Sequence, residues 1–119
     1  MTPEHFRRLA LALPDAVEGA HHDHPDFRVR GRIFASLHPG GTAGMVKVPP
    51  AEQARLVRAH GAAFAPANGA WGRQGCTTVH LAAVDAAVLR AALAAAWQWA
   101  MEALPAKPAR VRKGRTRGK

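Results

Sequence analysis

The chain has 119 residues, 48% of them hydrophobic and 21% charged, with a formal charge of +9, a single cysteine and no tyrosine. This length supports one domain around one core, and one cysteine excludes an intramolecular disulfide and fits a reducing cytoplasm. The charge is uneven: residues 1–104 carry ten Lys or Arg against eight Asp or Glu, whereas residues 105–119 carry seven Lys or Arg and no acid, so the footprint of a polyanionic partner, nucleic acid or an acidic membrane, lies mostly in a tail.

Thr2-Pro3-Glu4 starts a helix, with a Thr cap, Pro at the first position and an acid in the first turn. Phe6, Leu9, Ala10 and Leu13 follow at helical spacing and Pro14 ends it. The apolar run Leu9–Leu13 is too short for a signal peptide. Val17 to His22 predicts a short edge strand, and His22-Asp23-His24-Pro25 a turn.

Asp26 to Leu37 reads as two strands joined at Arg30-Gly31-Arg32. A three-residue connection pairs Val29 with Ile33 and Phe27 with Ala35. Phe27, Val29, Ile33, Ala35 and Leu37 then share an apolar face, with Arg28 and Ser36 opposite. A two-residue turn sets Arg32 beside Val29 and spoils that sorting, so the longer connection is expected, with Gly31 free to take positive φ.

His38 to Thr42 is a second turn, and Gly44 to Val48 a strand. Pro49-Pro50-Ala51-Glu52 opens a helix with Pro50 first, Leu56 and Val57 inward, His60 in its last turn and Gly61 just after it. Ala63 to Pro66 predicts a short strand, and Asn68 to Gly75 a Gly-rich loop. Cys76 to Leu81 is a strand expected to turn Thr77, Val79 and Leu81 to the core and Cys76, Thr78 and His80 away. Asp85 caps a final helix over Ala86–Leu104, with Val84 able to staple onto Leu89. Leu89, Leu93, Trp97, Ala100 and Leu104 form its stripe, and Pro105 ends it. Asp85, Arg90, Gln98 and Glu102 make this a soluble helix rather than a membrane span. Beyond it, high charge without apolar periodicity predicts a flexible tail over residues 105–119. The order predicts an α+β fold, one antiparallel sheet with helices on one face, over residues 1–104.

Several stretches together resemble the MmcQ/YjbR-like family: Ala12-Leu13-Pro14-Asp15-Ala16-Val17-Glu18, Asp26-Phe27-Arg28-Val29-Arg30-Gly31-Arg32-Ile33-Phe34-Ala35, Val46-Lys47-Val48, Trp71-Gly72-Arg73-Gln74-Gly75-Cys76-Thr77 and the long final helix. The resemblance covers about residues 3–104. It implies a CyaY-like α+β fold, a single antiparallel sheet of about five to six strands packed by three helices. It also implies DNA binding through wing-like loops, and it brings no catalytic residues. Many members carry a Trp just before the strand that starts here at Cys76; this chain has Gly75 there and Trp71 earlier. Frataxin-type relatives of the fold use acidic ridges for iron. With only Glu4, Asp15 and Glu18 in and around the first helix, iron delivery is not expected.

His21-His22-Asp23-His24 has the composition of a metal cluster, but neighbours on a strand point to opposite faces and no Cys or distant His is placed to complete a tetrahedron. No metal and no cofactor is expected. Cys76 and His80 lie about 13 Å apart along a strand, too far for a thiol–imidazole pair. Gly69, Gly72 and Gly75 are followed by no Lys-Ser/Thr and no helix, so they are not a phosphate loop. No nucleophile–base–orienter set is visible, and no enzymatic activity is expected. Trp97 is core by its spacing; Trp99 is core or flank.

Arg28, Arg30, Arg32, Lys47 and Arg73 fall on strands and loop tips, where an ordinary solvated face and a nucleic-acid surface are both open readings. With the family resemblance, the expectation is a DNA-binding protein without strong sequence preference. Phosphate contacts would come from those residues, with Trp71 beside Arg73 on a wing, and from Arg110, Arg112, Lys113, Arg115 and Arg117 of the tail. The alternative is a small-molecule or protein-binding module, its cleft between the sheet and the Trp71 loop.

Overall fold

A computed structural model describes residues 1–21 and 24–102. The elements run α1 (Pro3–Leu11), β1 (Val17–His21), β2 (His24–Val29), β3 (Arg32–Leu37), β4 (Ala43–Lys47), α2 (Pro50–Ala59), β5 (Phe64–Pro66), α3 (Gly69–Arg73), β6 (Cys76–His80) and α4 (Ala86–Glu102). Six strands form one antiparallel sheet in the order β1-β2-β3-β4-β6-β5. β1 to β4 are successive hairpins. β6 then returns to pair with β4, and β5 takes the outer edge. This is the expected α+β architecture. No helix among the described residues is long and apolar enough to cross a membrane.

The helices form where their caps and apolar spacing put them. The Thr2 hydroxyl accepts from the His5 N–H at 3.0 Å and Pro3 fills the first position of α1, removing one orphan donor and pre-setting φ. Phe6 and Ala10 are its buried face. Asp85 caps α4, accepting from the Val88 N–H at 2.9 Å, and Leu89, Ala92, Leu93, Ala96 and Ala100 are buried. α1, α2 and α4 cover one face of the sheet, where Phe27, Ala35, Leu37, Val46, Thr77, Val79 and Phe64 meet them. Phe6 packs on Phe27 with ring centroids 6.0 Å apart. Gly44 admits the Phe6 ring, since a Cβ there would stand 2.9 Å from it.

The central hairpin departs from expectation. Arg30 and Gly31 have φ of 53° and 81°, and Val29 pairs with Arg32 and Arg28 with Ile33. This is a two-residue turn of the type whose backbone twist matches the strands it joins. The register shifts at Phe27/Arg28, so the expected sorting holds only beyond that point. The β-bulge places Phe34 opposite no residue, restores the Phe27–Ala35 pair and buries Phe34 completely. Ile33 consequently leaves the core face.

Three smaller differences have local causes. His24 and Pro25 belong to β2 rather than to a turn, paired with His21 and Ala20; His22 and Asp23 lie outside the described residues. A short helix, α3, begins at Gly69 where a loop was expected. Trp97 is half-buried rather than core, its Nε1–H donating to the Pro14 carbonyl at 2.8 Å. That bond draws the ring to the rim, over the chain leaving α1. The tail segment 105–119 lies outside the described residues.

Candidate functional site

The face of the sheet opposite the helices carries Asp26, Arg28, Ile33, Ser36, Met45, Lys47 and Cys76. At its end, β2 stops and β3 starts at the Arg30-Gly31 turn, β4 stops at Lys47, and β6 starts at Cys76 opposite Lys47. β5 also stops there, and α3 connects it to β6. The β2–β3 tip, Lys47 and α3 are thus brought to one end by topology alone.

A groove of about 660 Å³ lies here. Ile33, Met45 and Cys76 come to it from the sheet, Ala67, Asn68 and Trp71 wall one side, and Arg32 and Lys47 stand at its end with Gly31. Ser36, His24 and His38 close the other end, the two imidazoles meeting edge-on with centroids 6.5 Å apart. Burial, and secondarily the charge of His24, pushes His38 below its ordinary value of 6.5. Burial raises the Cys76 thiol against the smaller opposing pull of Lys47, which keeps it protonated and a poor nucleophile.

Trp71 is 69% exposed, one of the two large apolar side chains left in solvent among the described residues. Its support is nevertheless rigidly specified. The Gln53 side-chain amide on α2 donates to the Gly72 carbonyl (3.0 Å), the Cys76 carbonyl (3.1 Å) and the Thr77 hydroxyl (3.1 Å). That hydroxyl donates onward to the Gly75 carbonyl at 3.0 Å. Gly72 lies against the Ala67 backbone, where a Cβ would come within 2.0 Å of the carbonyl oxygen, and Gly75, at φ 104°, lies as closely on Val48 (2.1 Å). Only glycine permits these approaches.

The cations differ in state. Arg28 spends its charge on Asp26, with hydrogen bonds of 2.7 and 3.0 Å to the two carboxylate oxygens of a fully buried side chain. The hydrogen bonds to Asp26, with its charge, raise the Arg28 guanidinium above its ordinary value. Arg30, Arg32, Lys47 and Arg73 have no ion-pair partner among the described residues. Arg32 and Lys47 line the groove; Arg30, next to Gly31 on the hairpin tip, and Arg73, on α3 with Trp71, are exposed and stand outside its lining. Arg110, Arg112, Lys113, Arg115 and Arg117 lie outside the described residues. Sequence reasoning overlooked Met45, Ile33 and the Gln53 clamp. The alternation along Gly44-Met45-Val46-Lys47 signals Met45, whereas nothing local signals Gln53.

The YjbR family model matches residues 11–99, most of the chain. The chain belongs to the YjbR family. Every YjbR residue that lines the groove falls inside that match, and the basic C-terminal segment falls beyond it. The fold is similar to the crystal structure of Deinococcus radiodurans protein DR2400, a DUF419 protein, with a TM-score of 0.66 at 22% identity, covering 85% of this chain and 78% of that one. No curated protein matches the sequence.

Proposed function

We propose that this YjbR protein binds nucleic acid at the groove end of its sheet, with phosphates held by Arg30, Arg32, Lys47 and Arg73. The observation that carries the reading is that Arg32 and Lys47, without acidic partners among the described residues, line one groove with the exposed Trp71, and that the exposed Arg30 and Arg73 lie one and two residues from lining residues Gly31 and Trp71. Arg7, Arg28 and Arg55, by contrast, are matched to Glu18 and Glu4, to Asp26 and to Glu52. Arg8, Arg58 and Arg90 also lack ion pairs among the described residues, but they stand on three different helices. Trp99 and Ala100 border a small cavity with Arg32 and Lys47, so α4 finishes at the same end. The seven Lys or Arg of residues 105–119 follow α4 in the chain. Such a surface releases counterions on binding, and affinity falls steeply with salt.

The test is anisotropy of a labelled oligonucleotide against full-length protein from low to physiological salt. Each phosphate no longer neutralised lowers the magnitude of the log–log salt slope by about 1, so Arg32→Glu with Lys47→Glu should weaken binding and flatten the slope. Absence of binding at low salt, or an unchanged slope in the double variant, refutes the reading. The apolar floor of Ile33, Met45 and Cys76 supports a second reading, a small-molecule cleft, since about 660 Å³ lies in the range of ligand pockets. An uncharged ligand there would bind with no salt dependence.

A further inference from the structure

We infer that the groove receives a single-stranded segment, with an unpaired base laid against the Trp71 ring and its flanking phosphates on Arg32 and Lys47. The inference rests on the nucleic-acid reading above and narrows its substrate. Trp71 is 69% exposed yet borders the groove. It stands on a support pinned by the three Gln53 hydrogen bonds and by the close approaches of Gly72 and Gly75. An exposed ring on a fixed support is a pre-organised stacking platform. A base inside a duplex has both π-faces covered by its neighbours and shows only its edges in the grooves. A single strand offers those faces freely, and every base has one, so the contact selects for strandedness rather than sequence.

The charge pattern agrees. The one acid that this face presents among the described residues, Asp26, is already matched by Arg28, while Arg32 and Lys47 border the same groove as the ring. A phosphate beside an occupied base therefore meets positive charge and, among the described residues, no unmatched carboxylate. Met45 and Ile33 give the base an apolar floor, and Ser36 and Asn68 offer polar groups at its margins.

The experiment uses the full-length protein with a labelled oligothymidine and a duplex of equal length at one low salt concentration. The expected result is tighter binding of the single strand. Trp71→Ala should weaken single-strand binding about tenfold or more and duplex binding far less, and so remove most of the preference; Trp71→Phe should retain most of it. Because Trp71 is exposed, circular dichroism of the variants is expected to match the parent, which keeps the comparison at the surface. Ultraviolet crosslinking to an oligonucleotide carrying 5-iodouracil should place the adduct on the peptide containing Trp71. Equal affinity for both forms, with Trp71→Ala indifferent, overturns the single-strand inference and leaves the phosphate reading standing. Displacement of the strand by thymidine monophosphate at equimolar base concentration overturns it in favour of a free nucleotide. No binding of either form removes the nucleic-acid reading itself.

Discussion

Arg30 occupies φ 53°, a left-handed conformation in which Asn and Gly are at home and longer side chains are not. Arg30→Asn is expected to raise stability by about 0.5 kcal/mol by relieving that strain, while weakening oligonucleotide binding. Urea titration beside anisotropy checks both, and a loss of stability would mean that Arg30 makes a compensating contact. Asp26 is the opposite kind of residue, fully buried and satisfied by a guanidinium that is 36% exposed. Because water can still reach Arg28, Asp26→Ala should cost about 2 kcal/mol, below the 3–5 typical of a wholly buried pair. Gly19 faces this pair across β1–β2; a Cβ there would stand 3.0 Å from both Arg28 Nε and Asp26 Oδ1. Gly19→Ala should cost about 1 kcal/mol alone and much less once Asp26 and Arg28 are both Ala. His38 links the groove to pH. Its folded value lies below 6.5, so the unfolded chain binds more protons. Its contribution to stability is therefore complete above pH 6.5 and lost as pH falls through the folded value. Denaturation midpoints between neutral and mildly acidic pH should decline, and His38→Gln should shallow that decline.

Among the elements, those with caps and periodicity were legible. Thr2-Pro3 and Asp85 announced α1 and α4, Pro49-Pro50 announced α2, and the alternation Thr77-Val79-Leu81 told which face of β6 is buried. The β2–β3 hairpin was legible as a hairpin but not in its register. The bulge at Phe34 absorbs one residue, and alternation counted through it assigns Ile33 to the wrong face. α3 was hidden because a five-residue helix containing two glycines has no propensity to betray it; it forms because Gln53 and the close backbone approaches hold it. Spacing predicts Trp97 as core, but spacing cannot tell a core from a half-buried rim closed by a hydrogen bond to Pro14. Trp97→Phe keeps an aromatic ring but removes that bond and part of the packed area, so a loss of about 1–2 kcal/mol in urea titration is expected. A loss near zero would make the bond incidental. The candidate site was legible as residue types, Trp71 and the arginines. Their convergence was not, since it depends on which strand ends share one edge of the sheet.

At the scale of the molecule, four strands of the sheet are joined by neighbouring hairpins, whereas β6 reaches β4 across residues about thirty positions apart, Lys47 opposite Cys76. Loop closure of that length is a cost met before the contacts that reward it form. The β4–β6 seam is thus expected to close late during folding, after the meander. Val79 is fully buried in that seam; Val79→Ala should accelerate unfolding far more than it slows folding. Equal movement of both chevron arms would place the seam in the nucleus instead. The groove straddles this seam, with Ile33 and Met45 on one side and Cys76 and α3 on the other. A chain that has built only its meander carries Arg30, Arg32 and Lys47 but has no wall for a base. During refolding, oligonucleotide capture that depends on Trp71 should therefore lag behind the appearance of sheet structure and keep pace with the final folding phase.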